Sequence, residues 1–152
     1  MADIDIRLLE DALDPAAAGA EFLARHGGAG AVATFVGTVR TEAGTVDHLY
    51  LDWYPGVTEA SFAEIAEAAA ARFDVTAIAV HHRCGRVDAG QAIVFVAAAS
   101  RHRRAALQAV DYAMDRLKSE AALWKREGGK GGERWVEPRT DDLKDLERWT
   151  DE

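Results

Sequence analysis

Ala92-Ile93-Val94-Phe95-Val96-Ala97-Ala98-Ala99-Ser100-Arg101-His102-Arg103-Arg104 is the stretch on which the fold turns. Its first eight residues are all apolar, with β-branched and aromatic side chains at the centre. That pattern predicts a buried strand. From Ser100 the pattern changes to a helix, with Leu107, Val110, Met114 and Leu117 as its apolar stripe. A strand feeding directly into a helix sets the rhythm for the rest of the chain.

Upstream, Ile4, Ile6 and Leu8 alternate with polar residues and read as a first strand. Asp14-Pro15 starts a helix, with Asp14 as N-cap and Pro15 at the first helical position, and Gly27-Gly28 ends it. Residues 31–40 and 48–54 read as two strands of a hairpin around the turn Thr41-Glu42-Ala43-Gly44. Thr58 is placed to cap a second helix carrying Phe62, Ile65, Ala66, Ala69 and Phe73 on one face. Residues 75–81 form another strand, and Asp88-Ala89-Gly90 turns the chain into the buried strand. Downstream come a glycine-rich loop over 128–132, a short strand over 133–136 and an acidic, helix-prone tail. Strand pairs interleaved with helices predict an α+β fold with a largely antiparallel sheet, in one domain spanning 1–152.

Composition narrows the function. The 152 residues are 49% hydrophobic, enough to bury a real core. No apolar run approaches the roughly 20 residues needed to cross a bilayer, and no signal peptide is expected at the acidic start. Cys84 is the one cysteine, which excludes an internal disulfide and makes a reducing cytoplasm the expected location. A net charge of −8 excludes binding nucleic acid through bulk electrostatics. Any anion site must therefore be a local cluster of cations.

Four segments could carry chemistry. Ser100 to Arg104 places four potential cations at a helix start, where free backbone N–H groups also bind anions; the same residues read equally as a solvated basic patch. Lys118 and Lys125 stand seven positions apart, with Met114 one turn before the first. On a continuous helix they would share a face roughly 10 Å apart. Lysines at such spacing are commonly solvated. In a partly dry pocket the same amines have lowered pKa values and move protons near neutrality. Gly37, inside a strand, predicts a bulge or the close approach of another backbone, and Arg40 ends that strand. His81 and His82 point to opposite faces of a strand, so no metal site is expected there, and Cys84 reads as a small buried hydrophobe.

In their order and spacing these segments resemble the catalytic subunit of molybdopterin synthase, the MoaE family. The residues that carry the likeness are Thr34-Phe35-Val36-Gly37-Thr38-Val39-Arg40, His82-Arg83-Cys84-Gly85, Ser100-Arg101-His102-Arg103, Leu117-Lys118, Trp124-Lys125-Arg126-Glu127 and Arg134-Trp135-Val136, with Arg139 just beyond. The resemblance implies an α/β-hammerhead type of fold with a small added β subdomain. It also implies a homodimer within a heterotetramer, each end bound by a small ubiquitin-like sulfur-carrier subunit of the MoaD type with a Gly-Gly C-terminus. Sulfur from that subunit's thiocarboxylate would convert cyclic pyranopterin monophosphate to the molybdopterin dithiolene, with no cofactor. Lys118 and Lys125 take the catalytic positions. Phe35, Arg40, His102 and Arg103 match pocket positions, Met114 joins them as a substrate contact, and Arg139 matches an arginine that reaches a neighbouring subunit's pocket.

The sequence departs from the family in two places. Ala121-Ala122-Leu123 stands where a proline usually precedes the Trp-Lys pair, so the helix is expected to run further before turning. Leu107 stands where an aromatic is common. The competing reading is a non-catalytic α+β module that binds a phosphorylated small molecule or a partner's C-terminal tail.

Overall fold

The structure, a computed structural model, describes residues 1–40, 47–129, 132–137 and 139–150. The turn at 41–44 and the middle of the glycine-rich loop lie outside the described residues.

The buried strand is β6, Ala92–Ser100, and it organises the larger sheet. Its neighbours are β2 (Ala31–Thr38) on one side and β4 (Ala77–Arg83) on the other, both antiparallel to it, with β1 (Asp3–Leu9) parallel to β4 at the edge. Both faces of β6 are covered. Helix α1 (Pro15–His26) packs Ala18 and Phe22 against Phe95, Ala97 and Ala99, while α2 (Val57–Arg72) and α3 (Arg103–Glu120) cover the face of Val94, Val96 and Ala98. Coverage on two faces explains why β6 is a continuous apolar run and not an alternating one.

A second sheet has the order β5-β3-β7-β8 and is antiparallel throughout. It joins β3 (His48–Trp53), β5 (Gly85–Asp88), β7 (Leu123–Gly128) and β8 (Arg134–Val136). Gly85 has φ +77, a conformation that favours glycine, and there the chain leaves β4 of the first sheet and enters β5 of the second. Leu51 and Val87 from this sheet join the same core as Val80 and Val96. The fold is thus α+β with two mostly antiparallel sheets, the smaller one answering to the expected β subdomain.

Three expectations change. Strands β2 and β3 do not form a hairpin: β2 pairs with β6, whereas β3 pairs with β5 and β7. The outward face of β3 fixes that choice, because Arg126 on β7 bonds Asp52 at 2.8 and 3.1 Å and stacks on Tyr50 with its guanidinium 4.4 Å from the ring centre. Thr58 is not the cap of α2, because Gly56 holds that position and Glu59 accepts its N–H at 2.8 Å. Leu107 is 59% exposed, while α3 packs through Ala106, Ala109, Val110, Ala113 and Leu117. The alanines let the helix sit close to the sheet, and Leu107, one position further round, turns outward. Asp14 does cap α1, accepting the Ala17 N–H at 3.1 Å.

The acidic tail forms α4 (Thr140–Glu147), which buries none of its own residues. It is held just past its end. Arg148 bonds Asp111 at 3.0 and 3.1 Å and also reaches Asp115, whose carboxylate accepts the Trp149 Nε1–H at 2.6 Å. The Trp149 ring meets Phe73 and Tyr112 edge-on. Among the described residues, no helix is long and apolar enough to cross a membrane.

Candidate active site

Lys118 and Lys125 do meet, but not along one helix. Helix α3 ends at Glu120, and Ala121 is already extended at φ −68, ψ 141. The chain then turns back as β7, which carries Lys125. Two hydroxyls from the start of α2 hold this turn: Ser61 Oγ accepts the Ala122 N–H at 3.0 Å, and Thr58 Oγ1 donates to the Ala122 carbonyl at 2.7 Å. Thr58 Oγ1 also accepts the Tyr54 N–H at 2.9 Å. These bonds make the turn without a proline, so the expected longer helix does not occur.

Thr58 is fully buried, so Thr58→Val keeps its shape while stranding the Ala122 carbonyl and the Tyr54 N–H. The expected cost is about 1–3 kcal/mol in chemical denaturation. An unchanged midpoint would show that the hydroxyl does not hold the turn.

The two lysines border two adjoining cavities. An outer cleft of about 610 Å³ runs between the end of α3, β7, β8 and the start of α4, and is lined by Trp124, Glu137, Arg139, Asp142 and Leu143 among others. An inner cavity of about 70 Å³ lies between β2, β6 and α3, lined by Phe35, Gly37, Thr38, Ile93, Val94 and Met114. His82, Leu117, Lys118 and Lys125 line both and form the neck between them.

Burial pushes the Lys125 amine down to about 8, helped by the like charge of Lys118 and opposed by the carboxylate of Asp142. The neck therefore presents an amine that changes charge near neutral pH beside a second, more exposed cation.

The expected site residues divide into two groups. Phe35 and Met114 line the inner cavity with the lysines. Gly37 shows the expected irregularity, since the register of β2 against β6 shifts between Gly37 and Thr38; what approaches it is a side chain and not a backbone, a Cβ there standing 2.7 Å from Val94 Cγ1. Arg40 is exposed two residues beyond Thr38. Arg139 lines the outer cleft of its own chain and bonds Asp141 at 3.1 Å. His102 and Arg103 lie elsewhere. They are exposed at the start of α3, sixteen and fifteen residues before Lys118, or about 22–24 Å along the helix at about 1.5 Å per residue. One chain cannot bring them to its own lysine neck.

Sequence reasoning missed His82 as a cavity residue, along with Asp142 and Trp124. For His82 a signal existed. Two histidines side by side on a strand face opposite ways, so one had to face the core. His81 bonds Asp5 at 3.0 Å, and His82 turns inward, where its ring stacks on Phe62. Cys84 is buried, and desolvation together with nearby Glu10 pushes its thiol up to about 11, which leaves it inert as a nucleophile.

Comparison with known proteins gives the family. Residues 8–120 match the model of the MoaE protein family. The chain is 44% identical to the molybdopterin synthase catalytic subunit of Caulobacter vibrioides, over 97% of this chain and 98% of that one. Against the subunit of the same name from Pseudomonas aeruginosa it is 42% identical, over 95% and 97%. A solved structure, the molybdopterin biosynthesis MoaE protein from Burkholderia ambifaria, superposes with a TM-score of 0.79 at 40% identity over the full length of both chains. With a family match over residues 8–120 and a relative 44% identical over 97% of the chain, the chain belongs to the MoaE family.

Proposed function

We propose that this chain is the catalytic subunit of a molybdopterin synthase, a sulfurtransferase that moves sulfur from the thiocarboxylated C-terminus of a small ubiquitin-like subunit to cyclic pyranopterin monophosphate. The observation that carries this reading is the convergence of Lys118 and Lys125, from a helix and a strand of different layers, on one neck between two cavities. The nucleophile arrives on the partner's tail, so the enzyme needs cations and proton carriers and no thiol of its own. Lys118 steadies the incoming tail and Lys125 works beside the pterin. Their ammonium groups stabilise developing oxyanions, and Lys125, titrating at about 8, exchanges protons during turnover. Phe35, Met114, Arg40 and Arg139 bind substrate. The reaction belongs to a reducing cytoplasm.

The assembly is a homodimer of this chain with a small subunit at each end. His102 and Arg103 stand about 22–24 Å from Lys118 along α3, so they contribute to a lysine cleft when it belongs to the second copy.

The test is reconstitution of the chain with a thiocarboxylated small subunit and the cyclic precursor. Lys118→Ala and Lys125→Ala are each expected to lower molybdopterin formation by on the order of a hundredfold or more. Wild-type yield from both variants would remove the proposed roles. Full function in the two Lys→Arg variants would reduce those roles to charge binding.

A further inference from the structure

His82 lies at the lysine neck and takes no part in the lysine chemistry described above. It is 6% exposed and lines both cavities together with Lys118 and Lys125. Its Nδ1 lies 2.7 Å from the carbonyl oxygen of Arg83. A carbonyl can only accept, so Nδ1 carries the proton and Nε2 is left with a lone pair. The ring is held flat against Phe62, with centres 5.4 Å apart and planes at 30°. Two contacts therefore fix both the tautomer and the plane of the ring. Among the described residues nothing donates to Nε2, and neither lysine amine has a hydrogen-bond acceptor.

We propose that His82 is a positioning residue of this site: its Nε2, locked as an acceptor and without a donor in this structure, takes an N–H of Lys125 when that flexible stem turns toward it, and so holds the amine at the neck between the two cavities. The proposal rests on the sulfur-transfer reading for its effect on turnover, but not for its effect on the amine. The need is geometric. Lys125 ends in a flexible four-carbon stem, and the like charge of Lys118 repels it from the neck. The other charged groups on the cleft are Asp142 from α4 and Glu137 and Arg139 ahead of it, all on the outer side. Without an acceptor on the inner side, Asp142 would draw the amine outward, away from the cavity of Phe35 and Met114. A neutral imidazole supplies that acceptor without adding a negative charge that would repel an anionic tail. Burial pushes His82 down to about 4, aided by both lysines, so it stays neutral across the working range.

Two substitutions separate this role from simple packing. In His82→Asn the side-chain amide can still donate to the Arg83 carbonyl, but nothing replaces Nε2. In His82→Gln the longer side chain carries its oxygen toward the Nε2 position. The Lys125 amine is followed by NMR of carbon-labelled, reductively methylated protein, assigned with Lys125→Arg, alongside kcat and KM in the reconstituted assay. His82→Asn is expected to shift the Lys125 titration further down and to lower kcat about ten- to a hundredfold with KM little changed. His82→Gln is expected to restore much of both. A Lys125 titration unmoved in His82→Asn, in a variant shown to be folded, would overturn the proposal. Equal losses in both variants, tracking the folded fraction, would do the same. If the parent chain makes no molybdopterin at all, the functional reading fails, and the amine titration still decides the role of His82.

Discussion

Replacing Lys125 with Met is expected to abolish turnover and, at the same time, to make the folded chain more stable at pH 7. The amine is held at about 8 in the fold against an ordinary value of 10.5, chiefly because burial strips water from its charge. Below pH 8 the group is protonated whether the chain is folded or not, and the fold bears the cost of holding a poorly solvated ammonium. Between pH 8 and 10.5 the unfolded chain binds the proton that the folded chain has released, so stability rises with pH through that window. Methionine removes the cost altogether. The expected gain at pH 7 is on the order of 1–3 kcal/mol, and it should close as pH climbs toward 10.5. Urea denaturation of both proteins across that range tests this. A variant less stable than the parent at pH 7 would show that the contacts of the amine, the one with His82 included, outweigh its desolvation. Charge that costs stability at a site of this kind is what a working amine requires.

Phe62→Ala should be the most damaging change in the core. Phe62 is fully buried on α2, among Ile65, Ala66 and Ala69, and its ring supports His82. Truncation removes the buried ring and leaves a cavity, an expected loss of about 3–5 kcal/mol in denaturant unfolding. Phe62→Leu, which keeps much of the volume, should cost far less. A loss below about 1 kcal/mol for the alanine variant would show that α2 can close over the gap.

The sequence disclosed the elements better than their partners. Strand β6 and helices α1 and α3 were legible because their apolar patterns and the Asp14-Pro15 cap are local signals. The pairing of β3 was not. It depends on Gly85 turning the chain into a second sheet and on Arg126 reaching Asp52 and Tyr50, a contact across 74 residues. The sequence singled out two lysines that line the same cavities, but their geometry was misread. Spacing of seven suggests a helix, and the turn that breaks it is made by hydroxyls of Thr58 and Ser61, over 60 positions upstream. His102 and Arg103 stood next to the site only in the linear motif, because a helix of 18 residues separates its two ends.

The attachment of α4 gives the cleft a second property. An eight-residue helix is too short to persist on its own in water, and this one buries nothing. Its place beside the lysines depends on Arg148 and Trp149 gripping α3, while Asp142 and Leu143 form the far wall. That wall is therefore a unit of low local stability mounted on a rigid sheet. Releasing it sacrifices one anchored cluster and leaves the pairing of β4, β6 and β2 intact. Opening the rim of the cleft therefore takes a free energy well below that of global unfolding.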